Sequence, residues 1–142
     1  MINVGVIANN HVVMAAVRGV LASSADVNVM HFRDLAFPET VIKHSDDVDV
    51  LLCEPVSLRV LNKMRAKFHR AGSKSVMRIL FLGMPPAERT LRKFIQSGVF
   101  GFVGITAADF VAMPEAIRAV ASGEFYFPSM ARIGDGSIGG CR

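Results

Sequence analysis

Asp49-Val50-Leu51-Leu52-Cys53-Glu54-Pro55 is the stretch on which the fold turns. An apolar run that ends in a carboxylate and then a proline reads as a buried parallel strand. The C-terminal end of such a strand is where an open α/β sheet places its chemistry, and Glu54 stands there.

Upstream, Ile2 to Ala8 is a second near-continuous apolar strand, closed by Asn9-Asn10, residue types that favour turns and helix starts. A helix follows from about His11 to Ser23. Arg18 is its only charge, so it must be covered on two sides, by the sheet and by a further partner. Val27 to Phe32 alternates like a strand, and Phe37 to His44 reads as a short helix.

Downstream, Pro55 opens a helix from about Val56 to Ala71, with Leu58, Val60, Leu61, Met64 and Phe68 inward and basic residues outward. Gly72 ends it. Val76 to Leu82 is a strand, Gly83 to Pro86 a loop, and Ala87 to Ser97 a helix closed by Gly98. Val99 to Gly104 is the last strand. Thr106-Ala107-Ala108-Asp109 resembles a capping box and opens a last helix to about Ser122, with Pro114 expected to distort its first turns. Strands alternating with helices imply an α/β, doubly wound sheet of five parallel strands, for which the flavodoxin-like order 2-1-3-4-5 is expected. Residues 1–128 form this unit. Residues 129–142, rich in Gly and Ser, read as a tail or linker.

The chain has 142 residues, of which 51% are apolar, enough for a single domain with its own core. No apolar run reaches the length of a membrane span and the N-terminus lacks a basic signal region, so a cytoplasmic protein without membrane contact is expected. Cys53 and Cys141 form neither a metal-ligand spacing nor a disulfide framework. Net charge is +4, unevenly spread. Arg59 to Lys93 contains ten basic residues and one acid, Glu88; the rest of the chain is net acidic. A basic flank follows, either a solvated helix face or a contact for nucleic acid or an acidic partner.

Four pieces of sequence resemble the receiver domains of LuxR/NarL-type response regulators. They are Ile7-Ala8-Asn9-Asn10-His11, Asp49 to Glu54, Gln96-Ser97-Gly98-Val99-Phe100-Gly101-Phe102, and Ala116 to Glu124. Such receivers transfer a phosphoryl group to an aspartate ending strand 3. An acidic pair holds a divalent metal, and a hydroxyl and a lysine sense the phosphoryl group. The resemblance places Asn9 and Asn10 at the acidic pair, Glu54 (with Cys53 beside it) at the acceptor, Gly83 at the hydroxyl, and Ile105 or Thr106 at the lysine. None of the five groups survives. Two neutral amides and one carboxylate suit magnesium poorly, and nothing neutralises a transferred phosphoryl group. The resemblance therefore implies an atypical pseudo-receiver that is independent of phosphorylation, is no enzyme, and has no cofactor, metal site or catalytic residue.

Glu54 then stands in for an acyl phosphate, contacts a small molecule together with Asn9 and Asn10, or is a structural carboxylate satisfied by helix amides or solvent. In the 2-1-3-4-5 order the first and last helices are neighbours. Their apolar residues Val13, Val17, Val20, Met113, Ile117 and Val120 are expected at a homodimer interface, unless Phe125-Tyr126-Phe127 folds back over that face. The resemblance also implies a helix-turn-helix domain after the linker that binds DNA, so the chain is expected to be the receiver part of a transcription regulator. The alternative is a small-molecule sensor with its pocket at Asn9, Asn10 and Glu54.

Overall fold

The computed structural model describes residues 1–8, 10–32, 48–70 and 78–127, with the backbone alone for 31–32 and 67–70. The helix expected at Phe37 to His44, Asn9, the turn at Gly72 and the Gly-rich tail lie outside the described residues. The elements are β1 (Ile2–Ile7), α1 (His11–Leu21), β2 (Val27–Phe32), β3 (Val50–Cys53), α2 (Leu58–Arg70), β4 (Arg78–Leu82), α3 (Glu88–Gln96), β5 (Val99–Val103), α4 (Ala107–Val111) and α5 (Met113–Ala121).

All five strands are parallel in the order β2-β1-β3-β4-β5, as the sequence predicts. The Val50–Cys53 strand is the centre of the sheet and is buried on both faces, which is why its apolar run does not alternate. Rows of side chains run across it. Ile7, Cys53, Phe81 and Phe102 are in register and share one face with Leu61 and Met64 of α2 and Leu91 of α3. Val6, Leu52 and Leu80 share the other with Met14, Val17 and Leu21 of α1 and Met113, Ile117 and Val120 of α5.

Local chemistry sets the helix ends. Asn10 caps α1: its Oδ1 accepts from the N–H groups of Val12 (2.8 Å) and Val13 (3.3 Å). α2 starts at Leu58, two residues later than expected, because Ser57 rather than the proline turn begins it, its Oγ accepting from Val60 N–H at 3.3 Å. The expected last helix is two helices. Pro114 has no N–H to donate and its ring would meet the carbonyl of Phe110, so the chain breaks at Ala112 and resumes with the proline in the first turn of α5.

After α5 the chain runs back along the open edge of β5. Tyr126 N–H donates to the Phe100 carbonyl (2.9 Å), and Phe102 N–H donates to the Tyr126 carbonyl (3.1 Å). Phe125 stacks on Phe100 with ring centroids 4.9 Å apart, and Phe127 lies 6.1 Å from Phe102. This short addition protects an edge that would otherwise present unpaired backbone groups. Gly101 makes it possible, since a Cβ there would collide with the carbonyl oxygen of Tyr126 and stand 3.0 Å from Leu80. Gly101→Ala is therefore expected to displace residues 124–127 from β5 while leaving the sheet folded. Tyr126 is the sole tyrosine in a chain without tryptophan, so near-ultraviolet circular dichroism reads its release directly. An unchanged tyrosine signal would place the segment elsewhere.

Candidate functional site

The C-terminal ends of β1 and β3 bring Asn10 and Glu54 together. Glu54 is partly buried, and its Oε1 accepts the backbone N–H of Asn10 at 3.3 Å, at the N-terminus of α1 where the helix dipole favours a carboxylate. Of the three roles open to Glu54, this contact matches the carboxylate satisfied by helix amides. The Asn10 amide oxygen is already committed to capping α1. Asn9 lies outside the described residues.

The neighbouring positions are equally committed. Gly83 N–H donates to the Val103 carbonyl at 2.7 Å, and a Cβ at Gly83 would stand 3.0 Å from Pro55 Cγ. The proline after Glu54 thus crowds the place where a threonine or serine side chain would begin. Ile105 is 61% exposed. The Thr106 hydroxyl donates to Asp109 Oδ2 (2.7 Å) and accepts from Asp109 N–H (3.2 Å), which caps α4 as the sequence suggests. The carboxylate of Asp109 in turn fills the space beside Gly104 that a side chain would need. Neither Ile105 nor Thr106 supplies a cation.

Cys53 points to the opposite face of the sheet, among Ile7, Leu51 and Phe81. Burial pushes its thiol far above the ordinary range, with the Glu54 charge adding to the effect, so it is no thiolate near neutral pH. Among the described residues no group of three or more His, Cys, Asp or Glu side chains could hold a metal ion.

A concavity of about 380 Å³ lies elsewhere, at the N-terminal ends of the strands, lined by Arg18, Leu21, Ala22, Ser24, Val27 and Val29. It is remote from Asn10 and Glu54. Nearby, Arg118 of α5 grips Asp26 through Nε (2.8 Å) and Nη2 (3.1 Å), which holds the Asp26 carboxyl below its usual range. Sequence reading missed this pair, because its members are 92 residues apart and carry no motif.

The interface residues expected from helix composition need correction. Val17, Met113, Ile117 and Val120 are fully buried within the protomer, and Val13 and Val20 pack partly against the same core. The apolar surplus of α5 is absorbed by the sheet; its outward residues Glu115 and Arg118 are charged. Apolar surface remains instead on the N-terminal half of α1 and on α4, where Val12 and Val111 are each 76% exposed. The Phe125 to Phe127 cluster seats along β5, and Tyr126 packs partly against the core that α1 and α5 share with the sheet. Among the described residues no helix is long and apolar enough to cross a membrane.

No family model matches the chain, and no curated protein does. Solved structures do. A LuxR-family DNA-binding response regulator from Silicibacter pomeroyi superposes with a TM-score of 0.66 at 15% identity, over 93% of this chain and 100% of that one. The isolated receiver domain of RcsB from Salmonella enterica serovar Typhimurium, in its apo form, gives 0.68 at 20% identity, over 94% and 98%. A putative pilus assembly-related protein from Burkholderia pseudomallei gives 0.64 at 14% identity, over 87% and 92%. At these identities the likeness establishes the flavodoxin-like receiver fold, as the four sequence pieces suggest. The pilus protein shows that the fold alone does not assign a role.

Proposed function

We propose that this chain is a receiver-type domain of a transcription regulator that works without phosphorylation, its output being association of protomers. Association through the exposed face of α1 and α4 would set the arrangement of a DNA-binding module, attached to this chain or carried by a partner. One observation carries the proposal. At the strand ends, each described group that stands where phosphotransfer chemistry would sit is already engaged or crowded: Asn10 caps α1, Glu54 takes the Asn10 N–H, Thr106 caps α4, and Pro55 abuts Gly83. Among the described residues no group of three or more His, Cys, Asp or Glu side chains gathers at Glu54 to hold the metal that phosphotransfer uses.

The same commitments disfavour the small-molecule reading at Asn10 and Glu54, since Asn10 Oδ1 and Glu54 Oε1 already serve the start of α1. An enzymatic role has less support still. The buried Cys53 thiol is no nucleophile.

Sedimentation equilibrium of the purified chain, with and without magnesium and acetyl phosphate, tests the proposal alongside Val12→Glu and Val111→Glu. The expected result is a dimer that ignores the phosphodonor, gains no phosphoryl adduct by mass spectrometry, and dissociates in either variant. Association that waits for the phosphodonor would overturn it.

A further inference from the structure

Arg59, Lys63, Arg65, Arg89, Arg92 and Lys93 are gathered by the fold onto one surface. α2 and α3 lie side by side on the face of the sheet opposite α1 and α5. Their flanks are joined where Ser97 Oγ donates to Asn62 Oδ1 (2.9 Å) and Arg65 Nη1 donates to the Gln96 carbonyl (3.2 Å). Leu61, Met64 and Leu91 point inward. Helical spacing then turns Arg59 and Lys63 of α2, and Arg89, Arg92 and Lys93 of α3, toward solvent, and all five are exposed.

The two helices carry one carboxylate, Glu88, and it is paired with Arg92 at 2.8 Å. Among the described residues no carboxylate pairs with Arg59, Lys63, Arg89 or Lys93. Such clustering of like charge costs self-repulsion that only counterions or an anionic partner relieve.

We propose that the outward face of α2 and α3 binds the phosphate backbone of duplex nucleic acid without regard to base sequence. The surface carries the chemistry that phosphates need, rigid helices presenting arginine forks and lysine ammonium groups. Among the described side chains it lacks what other polyanion partners use. A protein partner is anchored by apolar or aromatic side chains at the centre of the patch, yet among the described side chains of α2 and α3 the one large apolar residue exposed is Val60, at 37%. A single strand is held by stacking on exposed aromatics; Phe94 of α3 instead packs its ring edge-on against Phe81 in the core. What is left is charge at helical spacing, which suits the regular array of phosphates along a duplex. This face and the proposed association face lie on opposite sides of the sheet, so each is tested without the other.

Fluorescence anisotropy of the chain with two labelled duplexes of unrelated sequence, each about 20 base pairs, tests the assignment across a salt series starting near about 50 mM. Both duplexes are expected to bind equally, with log K falling linearly in log salt. Neutralising Arg59, Lys63, Arg89 and Lys93 together to Gln is expected to weaken binding by about tenfold or more, and to reduce the salt slope by roughly three to four, at an unchanged Tm. Arg18→Gln, on the far side of the sheet, should change neither. Absence of binding at the lowest salt, binding that the fourfold variant retains, or binding only to a labelled single strand, to an acidic peptide or to phosphatidylserine vesicles would overturn the proposal.

Discussion

Val17→Glu is expected to unfold the domain and not to separate protomers. Val17 is fully buried between α1 and the sheet, in a cluster with Val4, Val6, Met14, Leu52, Ile117 and Val120 that offers no hydrogen-bond donor. A carboxylate there loses its hydration without compensation, a cost of about 3–5 kcal/mol or more for an unpaired buried charge. It also overpacks a site shaped for valine. Against a total stability on the order of 5–15 kcal/mol, that removes most of what holds the chain folded. Thermal unfolding by far-ultraviolet circular dichroism should show a Tm lowered by tens of degrees or no transition at all. Val12→Glu, on the same helix but 76% exposed, should melt like the parent. If Val17→Glu kept its native melt and changed only its sedimentation, the packing of α1 on the sheet would be wrong.

Phe81→Ala should cost about 3–5 kcal/mol, the range for emptying an aromatic site in a core that relaxes only partly. The residue is fully buried in β4, in register with Cys53 on one side and Phe102 on the other. Its ring meets Phe94 at 5.6 Å and 84° and Phe102 at 5.5 Å and 66°, edge-to-face geometries that add to the area buried. Urea unfolding gives the change directly, as a lower midpoint at similar slope. A loss below about 1 kcal/mol would mean that the α3 side of the core collapses into the space. Because Phe94 anchors α3, the variant should also loosen the helix that carries Arg89, Arg92 and Lys93, and weaken duplex binding in step with its loss of stability.

The two substitutions bracket a general point about the helices. Composition alone makes α1 and α5 look equally apolar, and both were expected to present surplus apolar surface. The surplus is real in α1, where Val12 stays exposed. In α5 it is not: Met113, Ala116, Ile117 and Val120 all fall on the buried arc, and Ala119 and Ala121 add little exposed area. Counting apolar residues measures how much a helix can bury. Which of them the sheet takes depends on the angle at which the helix sits.

Strand identity and the doubly wound parallel sheet were legible in the chain itself. Each rests on local facts: an unbroken apolar run for β3, and alternation of strands with helices. Short-range chemistry was legible too, since Thr106 and Asp109 are three residues apart and Asn10 caps the helix it precedes. Tertiary structure alone decided the rest. The seating of Phe125 to Phe127 along β5 depends on the space left by Gly101, about two dozen residues earlier. The Asp26–Arg118 pair, the commitment of Glu54 to the Asn10 N–H, and the gathering of basic residues from α2 and α3 onto one surface all join groups far apart in sequence. Periodicity and residue type act over a few residues, so they specify the elements. Side-chain partners across the sheet are set only when those elements pack.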